Sequence, residues 1–145
     1  MKDLFEPLLQ ESEHELFLYP WEIFELRIQE EMVRADRSNC GFGYMEIGYQ
    51  GLRNAIVPNV DDRTLWRAVL QFIAETLRGS DIKGYLADNR GVGLVFLDSD
   101  LTGLVGCRSR FWAHLTKLGW LKDGLAENAV LEIMKVTLYP LEKAS

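Results

Sequence analysis

With 145 residues, 48% of them apolar, the chain is sized for one domain with a packed core. Sixteen Lys and Arg against 22 Asp and Glu leave a formal charge of -6, which excludes a general binder of nucleic acid or anionic membrane. Cys40, Cys107, His14 and His114 show neither the paired spacing of a structural zinc site nor a disulfide framework, so a reduced, cytoplasmic setting is expected with no metal and no cofactor.

The first residues, Met1 to Pro7, are acidic and interrupted by Pro7, and no apolar run approaches the ~20 residues of a membrane span. No secretion signal is read there. Leu4, Phe5, Leu8 and Leu9 repeat at helical spacing before a polar stretch, so residues 1–16 are expected to form an amphipathic N-terminal extension. Its apolar side has three readings: a dimer contact, a link to another domain, or packing for the chain's own core.

Pro20 opens the next helix, predicted through about Asp36, with Trp21, Phe24, Ile28, Met32 and Ala35 on its inner stripe. Phe42 to Tyr49 reads as a strand, with Glu46 an unexpected charge at its middle. A structural reading pairs Glu46 with a Lys or Arg, or puts it at a sheet edge. Gln50 to Val60 is a connection containing a short helical turn around Leu52, Ala55 and Ile56. Asp61 or Asp62 then caps a second long helix with Leu65, Val69, Phe72, Ile73, Thr76 and Leu77 inward, and Gly79 ends it.

A hairpin follows: a strand from Ile82 to Leu86, a turn from Ala87 to Gly91, and an apolar strand from Val92 to Leu97. Its tip carries Asp88, Asn89 and Arg90, and charged residues between two buried strands mark a place for a site. Asp98, Ser99 and Asp100 offer caps for a third helix facing inward with Leu101, Leu104, Val105, Phe111, Trp112, Leu115 and Leu118. His114 is expected to be a partly buried helix residue, since no nucleophile motif accompanies it. The last strand is predicted over Ala129 to Tyr139, with an apolar phase shift between Ile133 and Met134 that a bulge or two-sided burial would explain.

The order helix, strand, helix, strand, strand, helix, strand predicts an α/β (α+β) sandwich. The simplest arrangement is ferredoxin-like, a mixed, mainly antiparallel central sheet flanked by helices.

Several segments in this order carry a resemblance to a family. They are Tyr19-Pro20 before the first long helix, Tyr44-Met45-Glu46-Ile47 in the first strand, Arg78-Gly79-Ser80-Asp81 ahead of the hairpin, and Thr137-Leu138-Tyr139-Pro140 closing the last strand. From about Phe17 to Pro140 the chain resembles the GGDEF domain of bacterial diguanylate cyclases, itself similar to the nucleotide-cyclase fold. Residues 17–145 would then form a single GGDEF-like domain. The turn where the family carries two glycines and two acids reads Ala87-Asp88-Asn89-Arg90-Gly91 here.

Two-metal phosphoryl transfer needs converging carboxylates. The resemblance puts Glu46 at the first metal acid, Gly48 where a neighbouring acid often stands, and the cation of Arg90 at the second acid of the turn. Asn54 falls where a guanine-contacting Asn could lie, while the guanine-contacting Asp would fall on Arg63, or on Asp62 with a gap. A degenerate, non-catalytic signalling module acting through a protein partner or as a homodimer is the object the resemblance implies. Arg78 and Asp81 match the family's R-x-x-D inhibitory site for cyclic di-GMP, which implies a receptor as the alternative; a guanidinium and a carboxylate can read the edges of guanine. The structural alternative has Asp81 bracing the turn and Arg78 at the helix end, where the dipole favours a cation.

Overall fold

The computed structural model describes residues 1–12, 16–78, 80–97 and 100–140. The predicted helix end at Gly79, the cap choices Asp98 and Ser99, and His14 lie outside the described residues. The elements are α1 (Lys2–Glu11), α2 (Trp21–Ser38), β1 (Phe42–Gly48), α3 (Tyr49–Ala55), α4 (Asp62–Thr76), β2 (Ile82–Tyr85), β3 (Gly91–Phe96), α5 (Leu101–Leu118), α6 (Ala129–Ile133) and β4 (Met134–Tyr139). The four strands lie in the order β2-β3-β1-β4, every adjacent pair antiparallel. With the helical crossovers this is the ferredoxin-like sandwich. The four-stranded sheet itself is antiparallel, and beside β2 Tyr19 adds one isolated parallel bridge to Gly84, its N–H donating to Lys83 O and its carbonyl accepting from Tyr85 N, both at 2.9 Å.

Alternation in β1 divides its side chains between two cores. Met45 and Ile47 join Val92, Leu94 and Phe96 against Leu65, Trp66, Val69 and Ile73 of α4 and Leu104, Cys107, Phe111 and Leu115 of α5. Phe42 joins Ile82, Leu86 and Val95 beneath Phe24 and Ala35 of α2. Because β3 is covered on both faces, all six of its residues are buried, which explains an apolar run without alternation.

Two paired glycines let α2 dock. Gly84 and Gly93 face each other across β2 and β3, and a Cβ on either would stand 2.3 Å and 2.5 Å from ring carbons of Phe24. Their missing side chains form the seat for that ring.

Asp61 caps α4 by accepting from Thr64 N at 2.7 Å, and Asp100 caps α5 by accepting from Gly103 N at 2.8 Å. Several boundaries differ from the sequence reading. The inner face of α5 is narrower than expected: Leu101, Val105 and Leu118 are exposed and Cys107 takes a core position, because Leu104, Cys107, Phe111 and Leu115 repeat at i, i+3, i+7 and i+11. His114 is exposed. In place of one long final strand, Ala129–Ile133 is a helical turn and the strand begins at Met134. The phase shift there marks a change from helical to extended backbone, with Ile133 and Met134 both buried across the junction.

The first segment packs on its own chain. Phe5 and Leu8 of α1 are buried in the larger core, and Phe5 lies 5.1 Å from Trp66, 6.0 Å from Tyr85 and 6.3 Å from Tyr49 between ring centroids. Glu11 at the far end accepts from Arg63 and from Arg67, fastening α1 to α4.

Candidate functional site

Two places in this frame gather polar chemistry, one at each end of the sheet. At the hairpin end, β2 and β3 are joined by a single turn of 3-10 helix at Ala87–Asn89. Asp88 and Asn89 adopt left-handed backbone at φ 57° and 56°, a conformation that short polar side chains tolerate. The tip is tied down by Leu86 N donating to Gly91 O at 2.9 Å and Tyr49 N donating to Arg90 O at 2.7 Å. Gly91 is required by close approach, since a Cβ there would lie 1.9 Å from Ile47 O.

Glu46 lies in the central strand β1, flanked in register by Gly93 of β3 and Lys135 of β4. It is therefore not at a sheet edge. Its partner is a tyrosine: Tyr44 Oη donates to Glu46 Oε2 at 2.7 Å. Burial first, then this bond and the carboxylate charge, push the Tyr44 phenol well above its ordinary range, while the positive charge of Arg90 opposes them. The charge of Arg90 thus reaches the Tyr44 phenol from the tip position where the family resemblance would put a second acid.

The positions matched to guanine contacts have internal partners. Asn54 Oδ1 accepts from Gln50 Nε2 at 2.9 Å, Asp62 Oδ1 accepts from Arg53 Nη1 at 3.0 Å, and Arg63 holds Glu11. Arg53 also donates to Val60 O and Val57 O, so it fixes the loop between α3 and α4. Among the described residues, no three His, Cys, Asp or Glu side chains form a group able to hold a metal ion.

At the opposite end, Asp81 organises the loop that leads into β2. Its Oδ2 accepts from Arg78 N at 3.0 Å, its Oδ1 accepts from Leu97 N at 3.1 Å, and its own N–H donates to Arg78 O at 3.0 Å. Beside it is an open cavity of about 210 Å³ that Arg78, Asp81, Cys107 and Arg110 line together with Phe96. The structure therefore brings Arg78 and Asp81 to one cavity and adds Arg110, which the sequence reading did not single out. Its signal was the helical face it shares with Gly103 and Cys107, at i−7 and i−3. Burial raises the Cys107 thiol above its usual range, with Arg110 pulling the other way. Two guanidinium groups and a carboxylate suit a phosphate or the edge of one base. A volume below the roughly 300–1,000 Å³ of enclosing pockets leaves the rest of a larger ligand in solvent.

A solved structure shares this fold. It is a delta-N mutant of PA1120 (TpbB or YfiN) from Pseudomonas aeruginosa comprising only the GGDEF domain, superposing with a TM-score of 0.56 over 85% of this chain and 72% of that one. The chain has a GGDEF-like fold. Identity over the match is 17%, so the likeness is one of fold. No family model and no curated protein matches the sequence. The Asp88–Arg90 tip lies at the hairpin end of the sheet, and Arg78 and Asp81 at the other. No helix among the described residues is long and apolar enough to cross a membrane.

Proposed function

We propose that this GGDEF-like domain is a non-catalytic signalling or regulatory module that works through protein contacts. The observation that carries the reading is the cation on the hairpin tip: the charge of Arg90 reaches the Tyr44 phenol that is bonded to Glu46, and the resemblance would put a second carboxylate in its place. Two divalent ions and a nucleoside triphosphate need converging negative charge, and a guanidinium there opposes both metals. Glu46 is already bonded to Tyr44, and Asn54, Asp62 and Arg63 are engaged within the chain, which supports the same reading.

A second reading rests on the other end of the sheet. Arg78, Asp81 and Arg110 share a cavity with the charge pattern of a receptor for a guanine nucleotide such as cyclic di-GMP. Each Asp81 oxygen accepts one backbone N–H and keeps a lone pair for a ligand.

Calorimetric titration with cyclic di-GMP, and in parallel with GTP and magnesium, tests both readings. The module reading expects no heat from GTP with magnesium. Heat with cyclic di-GMP that Arg78→Ala removes would establish the receptor; silence with both ligands leaves protein contacts as the function. Magnesium-dependent GTP binding lost in Glu46→Gln would overturn the module reading.

A further inference from the structure

Among the described residues Glu31 is the one charged side chain that is buried, 4% exposed on α2. Glu31, Arg34, Ala35 and Ser38 stand at i, i+3, i+4 and i+7 on one face of the helix. With Phe42 and Leu97 they line an open cavity of about 190 Å³. It lies on the α2 side of the sheet, where Leu97 packs on the smaller core. The cavity beside Asp81 lies on the other side, where Phe96 enters the larger core.

The charge of Glu31 is offset, but its lone pairs are open. Arg34 Nη1 stands 3.0 Å from Glu31 Oε1, yet that oxygen accepts no hydrogen bond. Buried acceptors are nearly always bonded, so packing inside the domain does not account for this one. Arg34 is exposed and keeps further donors. Ser38 Oγ donates to Arg34 O at 2.9 Å and keeps its acceptor sites.

A carboxylate and a guanidinium side by side select the charge of an occupant. Glu31 repels a simple anion and Arg34 a simple cation, whereas a zwitterion meets both: its ammonium donates to Glu31 Oε1 and its carboxylate accepts from Arg34. The walls select the rest. Ala35, Phe42 and Leu97 are apolar, and the Phe42 ring, 4% exposed and stacked on Tyr139 at 5.3 Å, offers no open face to a nucleobase. The volume is also below the roughly 300–1,000 Å³ of pockets for larger ligands.

We infer that this cavity is a binding site for a small aliphatic α-amino acid, its ammonium on Glu31, its carboxylate on Arg34 and its side chain against Ala35 and Leu97. The inference goes beyond the reading of the domain as a module of protein contacts and stands without it.

Amide chemical-shift titration of the full chain with L-leucine tests it, with isoamylamine and isocaproate as analogues that each lack one of leucine's two charges. Saturable shifts centred on Glu31 to Phe42 and on Leu97 are expected, with a dissociation constant on the order of 0.1–1 mM. Each analogue should bind roughly tenfold more weakly or worse, and Glu31→Gln and Arg34→Gln should each cost leucine a similar factor. Arg34 is exposed, so Arg34→Gln keeps the fold and decides the matter even where Glu31→Gln disturbs α2. No saturable shift with leucine, shifts centred elsewhere, isoamylamine binding as tightly as leucine, or leucine binding indifferent to Arg34→Gln overturns the site.

Discussion

Asp81 shows how one side chain can serve a loop and a cavity at once. Its carboxylate holds Arg78 N and Leu97 N, joining the residues before β2 to the end of β3, and the same group faces the cavity that Arg78 and Arg110 line. Replacing it with Ala strands a part-buried N–H at Leu97, for which about 1–3 kcal/mol is expected. Thermal unfolding of Asp81→Ala measures that loss. Asn keeps one acceptor, so Asp81→Asn falls between Ala and the native chain. The spacing of Arg78 and Asp81 was readable in the sequence, and so was the structural alternative for Asp81. The two backbone donors were not, since one comes from Leu97, whose approach depends on strand pairing. Glu46 was visible as a misplaced charge for its strand. Its partner was not the expected Lys or Arg but Tyr44, two residues away on the same face of the strand.

Elements with strong periodicity were legible to within a turn. The stripe of α2 and the Asp61 cap of α4 are local signals, and the structure repeats them. The last strand was not, because Ala129 to Ile133 is too short to display a helical period and is apolar enough to pass for strand. The amphipathic pattern of α1 was equally clear, but its partner surface is spread over distant segments, with Phe5 among Tyr49, Trp66 and Tyr85. The anchorage of α1 should depend on pH. Bonding to Arg63, aided by the charges of Arg63 and Arg67, holds the Glu11 carboxyl below the usual glutamate range. Its contribution is therefore complete above the ordinary glutamate value and fades as pH falls through the depressed folded value. Glu11 is solvent-exposed, so the effect belongs to α1 and not to global unfolding. Hydrogen-exchange protection of residues 2–11, corrected for intrinsic rates, should drop on acidification in the native chain and start lower, with a flatter profile, in Glu11→Gln.

The whole molecule follows from a few constraints that agree. One hairpin and two helical crossovers select the strand order β2-β3-β1-β4, and the Gly84–Gly93 pair under Phe24 settles where α2 sits on the second face. The order of elements was legible; the glycine seat was not, because only strand register brings those two positions together. In this GGDEF-like fold the hairpin tip carries Arg90 and the neighbouring strand a tyrosine-bonded Glu46, and the non-catalytic reading proposed above expects no nucleotide chemistry there. Incubation of the purified chain with GTP and magnesium, followed for pyrophosphate release and for a cyclic dinucleotide product, tests this most directly. Neither product is expected above a no-protein control. Pyrophosphate released in step with a cyclic dinucleotide, and abolished by Glu46→Gln, would contradict it.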